Sequence, residues 1–416
     1  MKILNLTKSH KGGAGRAVYR LHRGLVLSGV DSYMLTHETK HPDPTVLGPS
    51  HKISKAVHTV RLPARVDRLA LHLSSKNSSA SFASSWYPDG LHSQVTKIDP
   101  DIINLNWVCK GFMRIETIGK FNKPLIWTLL DMWPFTGGCF YTQGCTRYSQ
   151  SCGQCPQLGS TRENDLSRKV WHRKAQALEK LDLTIVSPST WLSDCARESS
   201  LFKNLPIKTI PYGLDTASFK PINQQEARKA LNLPLDKQLV LFGAVKATSD
   251  PRKGFQLLCP ALEKLHYSGW QDKLEIAVFG ASAEDATTQF SLKANYLGFF
   301  YDDLSLAMLY SAADVMVVPS LQEAFGQTAS EALACGTPVV AFDQTGVAEI
   351  VDHKETGYLA TPFEVNDLAA GIAWVLEDPE RYILLKEKAR TKAISTFSYQ
   401  AQANRYIDLF HSILEK

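Results

Sequence analysis

Short apolar runs alternate with amphipathic stretches along most of the chain. Ile3 to Leu6 is followed by Lys11-Gly-Gly-Ala-Gly-Arg16 and then by Ala17 to Ser28, where Val18, Leu21, Leu25 and Val26 recur at helical spacing before Gly29. This predicts strand, glycine-rich turn, helix, and a second strand at Tyr33 to Leu35. Further strands are expected at Ile102 to Leu105, Leu125 to Leu129 and Leu183 to Val186. All are short and apolar on both faces, the pattern of a parallel sheet covered on both sides. Pro211-Tyr-Gly213 and Lys220-Pro221 punctuate the chain, and a new series follows: Leu239 to Gly243, Leu274 to Phe279, Val315 to Pro319 and Val339 to Ala341. The expected fold is α/β, with two doubly wound Rossmann-like halves. A serine-rich stretch at 75–90 reads as a loop, and a last helix is expected over Ser398 to Glu415.

With 416 residues, 44% of them hydrophobic, the chain can form two or three ordinary cores. No apolar run approaches the roughly 18–20 residues of a membrane-spanning helix. The start lacks the apolar core and cleavage site of a signal peptide. A cytoplasmic protein is therefore expected. The net charge of +5 is uneven: residues 1–200 carry 26 Lys and Arg against 15 Asp and Glu, and the remainder 20 against 26. A basic first half suits an anionic membrane surface or a phosphorylated acceptor. The mixed basic and apolar stretch His51 to Leu73 is a candidate membrane contact. No zinc-finger, RNA-recognition or helix-turn-helix signature points to nucleic acid.

The most informative segment is Glu323-Ala-Phe-Gly-Gln-Thr-Ala-Ser-Glu331, running into a Gly-Thr-Pro break and another apolar run. It places two carboxylates near the carboxyl edge of a parallel sheet, where open α/β folds bind ligands. Between them a helix start at Gly326-Gln327 offers free backbone N–H groups to an anion. Carboxylates that accept hydroxyl hydrogen bonds, beside a phosphate-friendly helix end, describe a nucleotide-sugar site. A capped surface helix with two solvated Glu residues is the bland alternative. Gly243 to Gly254 supplies Lys246, Arg252 and Lys253 in a second strand-to-helix turn. Four cysteines, Cys139, Cys145, Cys152 and Cys155, fall within seventeen residues with Gly137, Gly138, Gly144 and Gly153 among them. One C-x2-C is present rather than two, so a structural zinc site, disulfides and free thiols all remain open.

The Glu323 to Glu331 frame, with Arg252-Lys-Gly254 before a helix, resembles the retaining glycosyltransferases of the GT-B fold, in the family-four class. The resemblance covers about 206–395, and a bacterial polysaccharide subgroup is similar over Asp101 to Trp107, Leu129 to Cys139 and Cys155 to Gly159. It implies an N-terminal acceptor-side lobe at 1–205, with a cysteine-rich insert at 137–159. A nucleotide-sugar lobe would follow at 206–395, across a cleft, and a terminal helix at 396–416 would return to the first lobe. It also implies that Glu323 holds donor-sugar hydroxyls, Lys253 neutralises the departing pyrophosphate, and Glu331 grips the ribose. Phe325, Gly326 and Gln327 would meet the sugar and pyrophosphate through their backbone. Gly12 and Gly13 would lie over the donor phosphate, and Gly243 would open the phosphate turn.

On the acceptor side the resemblance points to Arg16, Trp107, Asp131 and Trp133, with Asp131 also counted among the catalytic candidates. The family usually carries Arg at the place of Ala244 and the subgroup His at that of Leu130. Lys246 or Arg252 would supply the missing charge. The implied activity is retaining sugar transfer from a nucleotide sugar to a lipid-linked or polysaccharide acceptor in surface-glycan synthesis, with no cofactor required for catalysis. A non-catalytic glycan-binding or assembly scaffold on the same fold is the rival reading.

Overall fold

A computed structural model of the chain describes residues 1–38, 41–48, 71, 81–244, 247–282 and 290–415. The basic stretch expected to meet membranes, apart from Leu71, and Lys246 lie outside the described residues. The chain divides into two compact units. Unit 1 comprises Met1–Pro211 together with Gln402–Lys416, and unit 2 comprises Tyr212–Ala401.

Unit 1 is built on a seven-stranded parallel sheet in the order β3-β2-β1-β4-β5-β6-β7. Its strands are β1 (Lys2–Leu6), β2 (Asp31–Leu35), β3 (Val46–Leu47), β4 (Ile102–Leu105), β5 (Leu125–Thr128), β6 (Leu183–Ser187) and β7 (Ile207–Thr209). All of β4, β5 and β6 is buried, as unbroken apolar runs require. Helix α1 (Gly12–Leu27) starts five residues before the expected Ala17. The glycine turn is itself the first turn of the helix. Its backbone lies so close to the preceding loop that a Cβ on Gly15 would come 2.5 Å from the Ser9 and His10 backbone. The short edge strands β3 and β7 carried no sequence signal, being half-buried or exposed.

Helix α2 (Leu166–Leu178) is capped by Asp165, whose side chain accepts from the backbone of Ser167 and Arg168. The final helix, α3 (Tyr399–Leu414), places Ala403, Tyr406, Phe410 and Ile413 in one core with Ile3, Leu21, Leu25, Ile102 and Ile126. A polar chain threads the same core. Asn104 donates to Asn5 (2.9 Å), the Thr128 hydroxyl donates to Asn104 (2.8 Å), and the hydroxyls of Thr128 and Tyr406 share a hydrogen bond (2.8 Å).

Unit 2 carries a six-stranded parallel sheet in the order β10-β9-β8-β11-β12-β13. These are β8 (Gln238–Gly243), β9 (Leu274–Phe279), β10 (Ala294–Tyr296), β11 (Val315–Val318), β12 (Val339–Phe342) and β13 (Gly357–Ala360). Val240, Phe242, Ile276, Val278, Val315, Val317, Val340 and Phe342 are buried in one core with Leu258, Leu262 and Ile372 from the flanking helices. Among the described residues no helix is long and apolar enough to cross a membrane.

Candidate functional site

In unit 2 the chain winds outward from the adjacent strands β8 and β11, so the loops after these two strands flank a topological switch point. Asp250 opens the turn Pro251–Lys253 by accepting from the Arg252 backbone N–H (3.0 Å) and pairing with the Arg252 guanidinium (3.0 Å). Gly254 closes the turn at φ +76°, and a Cβ there would lie 1.8 Å from the carbonyl oxygen of Pro319. Only glycine lets this turn sit against the end of β11. The backbone of Leu321 then donates to the Arg252 carbonyl (2.8 Å), and Arg252 Nη1 donates to the Gln322 carbonyl (3.0 Å). Lys253 and Glu323, seventy residues apart, thereby meet at 2.7 Å, with Arg252 3.6 Å from the same carboxylate oxygen.

Burial raises the proton affinity of Glu323, but Lys253 and Arg252, with hydrogen bonds from Lys253 and Ser320, outweigh it and hold the carboxyl below its usual range. The group is therefore an anion at neutral pH, clamped by two cations and able to accept further hydrogen bonds. Just beyond it, Gly326 sits at φ +106° and starts the helix α4 (Gln327–Ala334). Phe325 is buried against Tyr212 (ring centroids 4.9 Å) and Phe397 (5.7 Å), so only its backbone is available to a ligand. Gln327 is half-buried in the first turn. Glu331 lies one turn further along, 1% exposed, and one of its oxygens accepts from the Tyr310 hydroxyl (2.7 Å). Tyr310 gave no sequence signal, because a phenol 21 positions upstream meets Glu331 only through the fold. Gly243 ends β8 where a Cβ would stand 2.3 Å from the Phe279 carbonyl oxygen.

In unit 1 the switch point falls between β1 and β4. Lys8, following β1, donates from its backbone to the Trp107 carbonyl (3.0 Å) after β4. The half-buried indole of Trp107 donates through Nε1 to Asp131 Oδ2 (3.0 Å), while Asp131 Oδ1 accepts the Trp133 backbone N–H (2.8 Å). Burial pushes the Asp131 carboxyl up to about 6, against the opposing pull of these hydrogen bonds and of Lys174 and Lys110. The structure thus brings Trp107 and Asp131 together, with Phe140 6.1 Å from the Trp107 ring.

Trp133 is different from expectation. It is 2% exposed, its indole donates to the Ala83 carbonyl (2.9 Å), and Lys174 stands 3.8 Å from its ring centroid. It is a core residue rather than a stacking platform, whereas Trp107 is half-buried, with Lys110 5.5 Å and Lys8 6.0 Å from its ring centroid. Gly12 takes φ +71° at the start of α1, with Gly13 and the half-buried Arg16 in the same first turns.

The four clustered cysteines are free thiols lining one cavity. Among the described residues no group of three or more His, Cys, Asp or Glu side chains is arranged to hold a metal ion. Three of the sulfurs have local hydrogen-bond partners: Cys155 the backbone N–H groups of Leu158 and Gln157, Cys152 that of Gly137, and Cys139 the Thr136 side chain. Burial raises Cys139 to about 12 and Cys152 to about 11, keeping both protonated at neutral pH.

A family model described as "Glycosyl transferases group 1" matches residues 223–392, which contain the whole Lys253, Glu323 and Glu331 constellation. A D-inositol 3-phosphate glycosyltransferase of Arthrobacter sp. (strain FB24) is 31% identical over 95% of this chain and 92% of its own length. With other relatives of that printed name the chain aligns over only about half of their length. Among solved structures, sucrose-phosphate synthase from Thermosynechococcus elongatus superposes over 100% of both chains with a TM-score of 0.68 at 22% identity. HepE of Anabaena, solved with UDP-glucose, covers 99% of this chain and 100% of its own, with a TM-score of 0.64 at 17% identity. Both structural likenesses are GT-B folds, two parallel-sheet Rossmann-like domains.

Proposed function

The chain belongs to the group 1 glycosyl transferases, and from that premise we propose that it moves a sugar from a nucleotide-sugar donor to a hydroxyl of a glycan or polyol acceptor, with retention at the anomeric carbon. The observation that carries this reading is the Lys253–Glu323 pair beside the start of α4. A diphosphate needs fixed positive charge where its own charge grows as the glycosidic bond breaks, and Lys253 and Arg252 supply it. Sugar hydroxyls need an ionised acceptor, and Glu323 is kept ionised by the same two cations. Glu331 is read as the ribose carboxylate, with Tyr310 orienting it.

The departing phosphate is read as the base that takes the acceptor proton on the face it leaves, so no enzymic nucleophile is needed. Asp131 and Trp107 are read as acceptor-side groups, the carboxylate accepting from hydroxyls and the indole packing on the sugar ring. The acceptor class expected from the sequence is a lipid-linked or polysaccharide glycan. The relatives named for D-inositol 3-phosphate add a soluble polyol phosphate to the same panel.

The test is a panel of UDP-, GDP- and dTDP-sugars, first by thermal shift and then by release of nucleoside diphosphate in the presence of each acceptor. A ligand at ~100 times its Kd adds about 2.7 kcal/mol to stability. Anomeric configuration of the product, read by NMR coupling, decides retention. Binding without release for every acceptor would favour the scaffold reading, and no binding at all would overturn the proposal.

A further inference from the structure

Lys174 is a lysine with no exposed surface, in the middle of α2, and nothing in the donor chemistry uses it. Its ammonium donates to two backbone carbonyls of one turn, those of Trp133 and Thr136 (3.0 Å to the latter), and stands over the Trp133 ring. That turn is the one that follows β5 and carries Asp131. Thr136 ties it further, its hydroxyl donating to the Cys139 carbonyl (2.7 Å) and accepting from the Gly138 N–H (3.3 Å). The residues of α2 before Lys174 grip the cysteine loop in the same way. Asp165 accepts from the Cys155 N–H (2.8 Å), Ser167 from the Gly153 N–H (2.9 Å), and Arg168 donates to the Cys152 carbonyl (2.8 Å).

Burying a full positive charge is costly unless it is hydrogen-bonded and balanced. Two carbonyls meet the first need. For the second, the groups that raise the proton affinity of Lys174 are Cys109, Cys139, Cys152 and Asp131. Burial keeps Cys109 and Cys139 protonated at neutral pH, and Cys152 as well. Asp131 is thus the one carboxylate in the set, and Lys174 in turn is among the cations that favour its ionised form.

We propose that Lys174 is a positioning residue for the acceptor side: a buried ammonium that clamps the turn after β5 and balances Asp131, so that this carboxylate is both ionised and aimed at the Trp107 indole edge. The inference rests on the reading of Asp131 as an acceptor-side group. Without its counterion the carboxylate would take a proton more readily and would accept more weakly from hydroxyls. Burial also lowers the ammonium to about 7, while Asp131 is raised to about 6. The two are charged together only over a narrow range near neutrality.

The test uses the intact protein with Lys174→Met, which keeps length and volume but removes the charge. The Trp107 indole N–H resonance, assigned with Trp107→Phe, reports the carboxylate it donates to. Its midpoint is expected near 6 in the parent and higher by about one pH unit, roughly a tenfold change in proton affinity, in Lys174→Met. Acceptor KM is expected to rise at least about tenfold while the Kd for nucleoside diphosphate stays within about twofold. An unmoved midpoint overturns the proposal, whether or not any transfer is detected. A moved midpoint without transfer would leave the coupling standing and count against the acceptor reading alone.

If Lys174→Met does not fold, Asp131→Asn supplies the reciprocal measurement. The Lys174 side-chain resonance is then expected to titrate about one pH unit lower than in the parent, and an unchanged midpoint overturns the proposal equally.

Discussion

The two units solve the same problem with opposite use of the chain. Each is an open parallel sheet whose switch point lies between two adjacent strands; in unit 2 Lys253 and Glu323 follow those strands, whereas in unit 1 Trp107 follows β4 and Asp131 follows the next strand, β5. In unit 2 the gathered set is strongly ionic: Arg252, Lys253 and Glu323 form a three-membered cluster that holds its carboxylate below the usual range. In unit 1 the set is sparse and buried: Asp131 has an indole and a backbone N–H as neighbours, and its carboxyl is pushed up to about 6. A diphosphate brings its own charge and needs a charged seat. On the reading proposed above, acceptor hydroxyls are neutral and are met by a directed acceptor held in a drier place. Cations outweigh burial at Glu323, whereas at Asp131 burial outweighs the pull of Lys174 and Lys110.

The largest effect expected from breaking this contrast is at Lys253. Lys253→Ala should lower kcat by roughly 10²–10³-fold, ~2.7–4 kcal/mol, the scale of one preorganised group lost from a developing anion. Single-turnover rates with donor in excess check it, and an equal loss in affinity for nucleotide and nucleoside would count against a role at the departing phosphate.

Next in size is the pH dependence set by Asp131. Its folded-state proton affinity is raised, so between about pH 4 and 6 the folded chain binds more protons than the unfolded one, and stability falls as pH rises through that window. Asp131→Asn should remove that slope, a change of up to about 3 kcal/mol in the stability difference between variant and parent from pH 4 to 6, set against the cost of leaving Lys174 without its carboxylate. Denaturant midpoints of both proteins at pH 4, 5, 6 and 7 measure it, and parallel curves would refute it.

Glu331→Ala is expected to weaken nucleoside diphosphate binding by roughly 1.5–3 kcal/mol, the worth of charged hydrogen bonds. Calorimetry on a folded variant decides, and unchanged affinity would remove Glu331 from the ribose. The smallest effect is at Tyr406. Tyr406→Phe deletes the hydroxyl shared with Thr128 and should cost unit 1 about 1 kcal/mol without altering nucleotide affinity. A shift in nucleotide affinity on this change would mean that the two sites are not separable in the way described.

The unit 2 constellation was readable in the sequence because its pieces are short and local. Glu323 to Glu331 is one frame, and Arg252-Lys-Gly254 is another whose closing glycine fits against Pro319. Expectations there needed only a strand, a turn and a helix in order. Unit 1 was harder to read for the converse reason. Asp131, Trp107 and Lys174 belong to three separate segments, and which of two tryptophans is buried in the core is a matter of packing. Trp133 stands two residues from Asp131 and is an acceptor-side candidate by sequence, yet a lysine 41 positions away covers its ring. The start of α1 was misplaced because glycines in a first helical turn read as a loop. The cysteine spacing is compatible with a metal knot, but it does not encode the backbone N–H groups that meet the Cys152 and Cys155 sulfurs.

The placement of α3 has a consequence for the order of manufacture. Unit 2 is one uninterrupted stretch of chain, whereas unit 1 is completed only by Gln402–Lys416. During synthesis the apolar surface formed by Ile3, Leu21, Leu25, Ile102 and Ile126 must wait for Ala403, Tyr406, Phe410 and Ile413. At ~5–20 residues per second the intervening stretch takes roughly 10–40 s to emerge. The half that begins first on the ribosome is finished last, and a nascent chain stalled inside unit 2 carries an uncovered patch on its first sheet, a natural handle for chaperones.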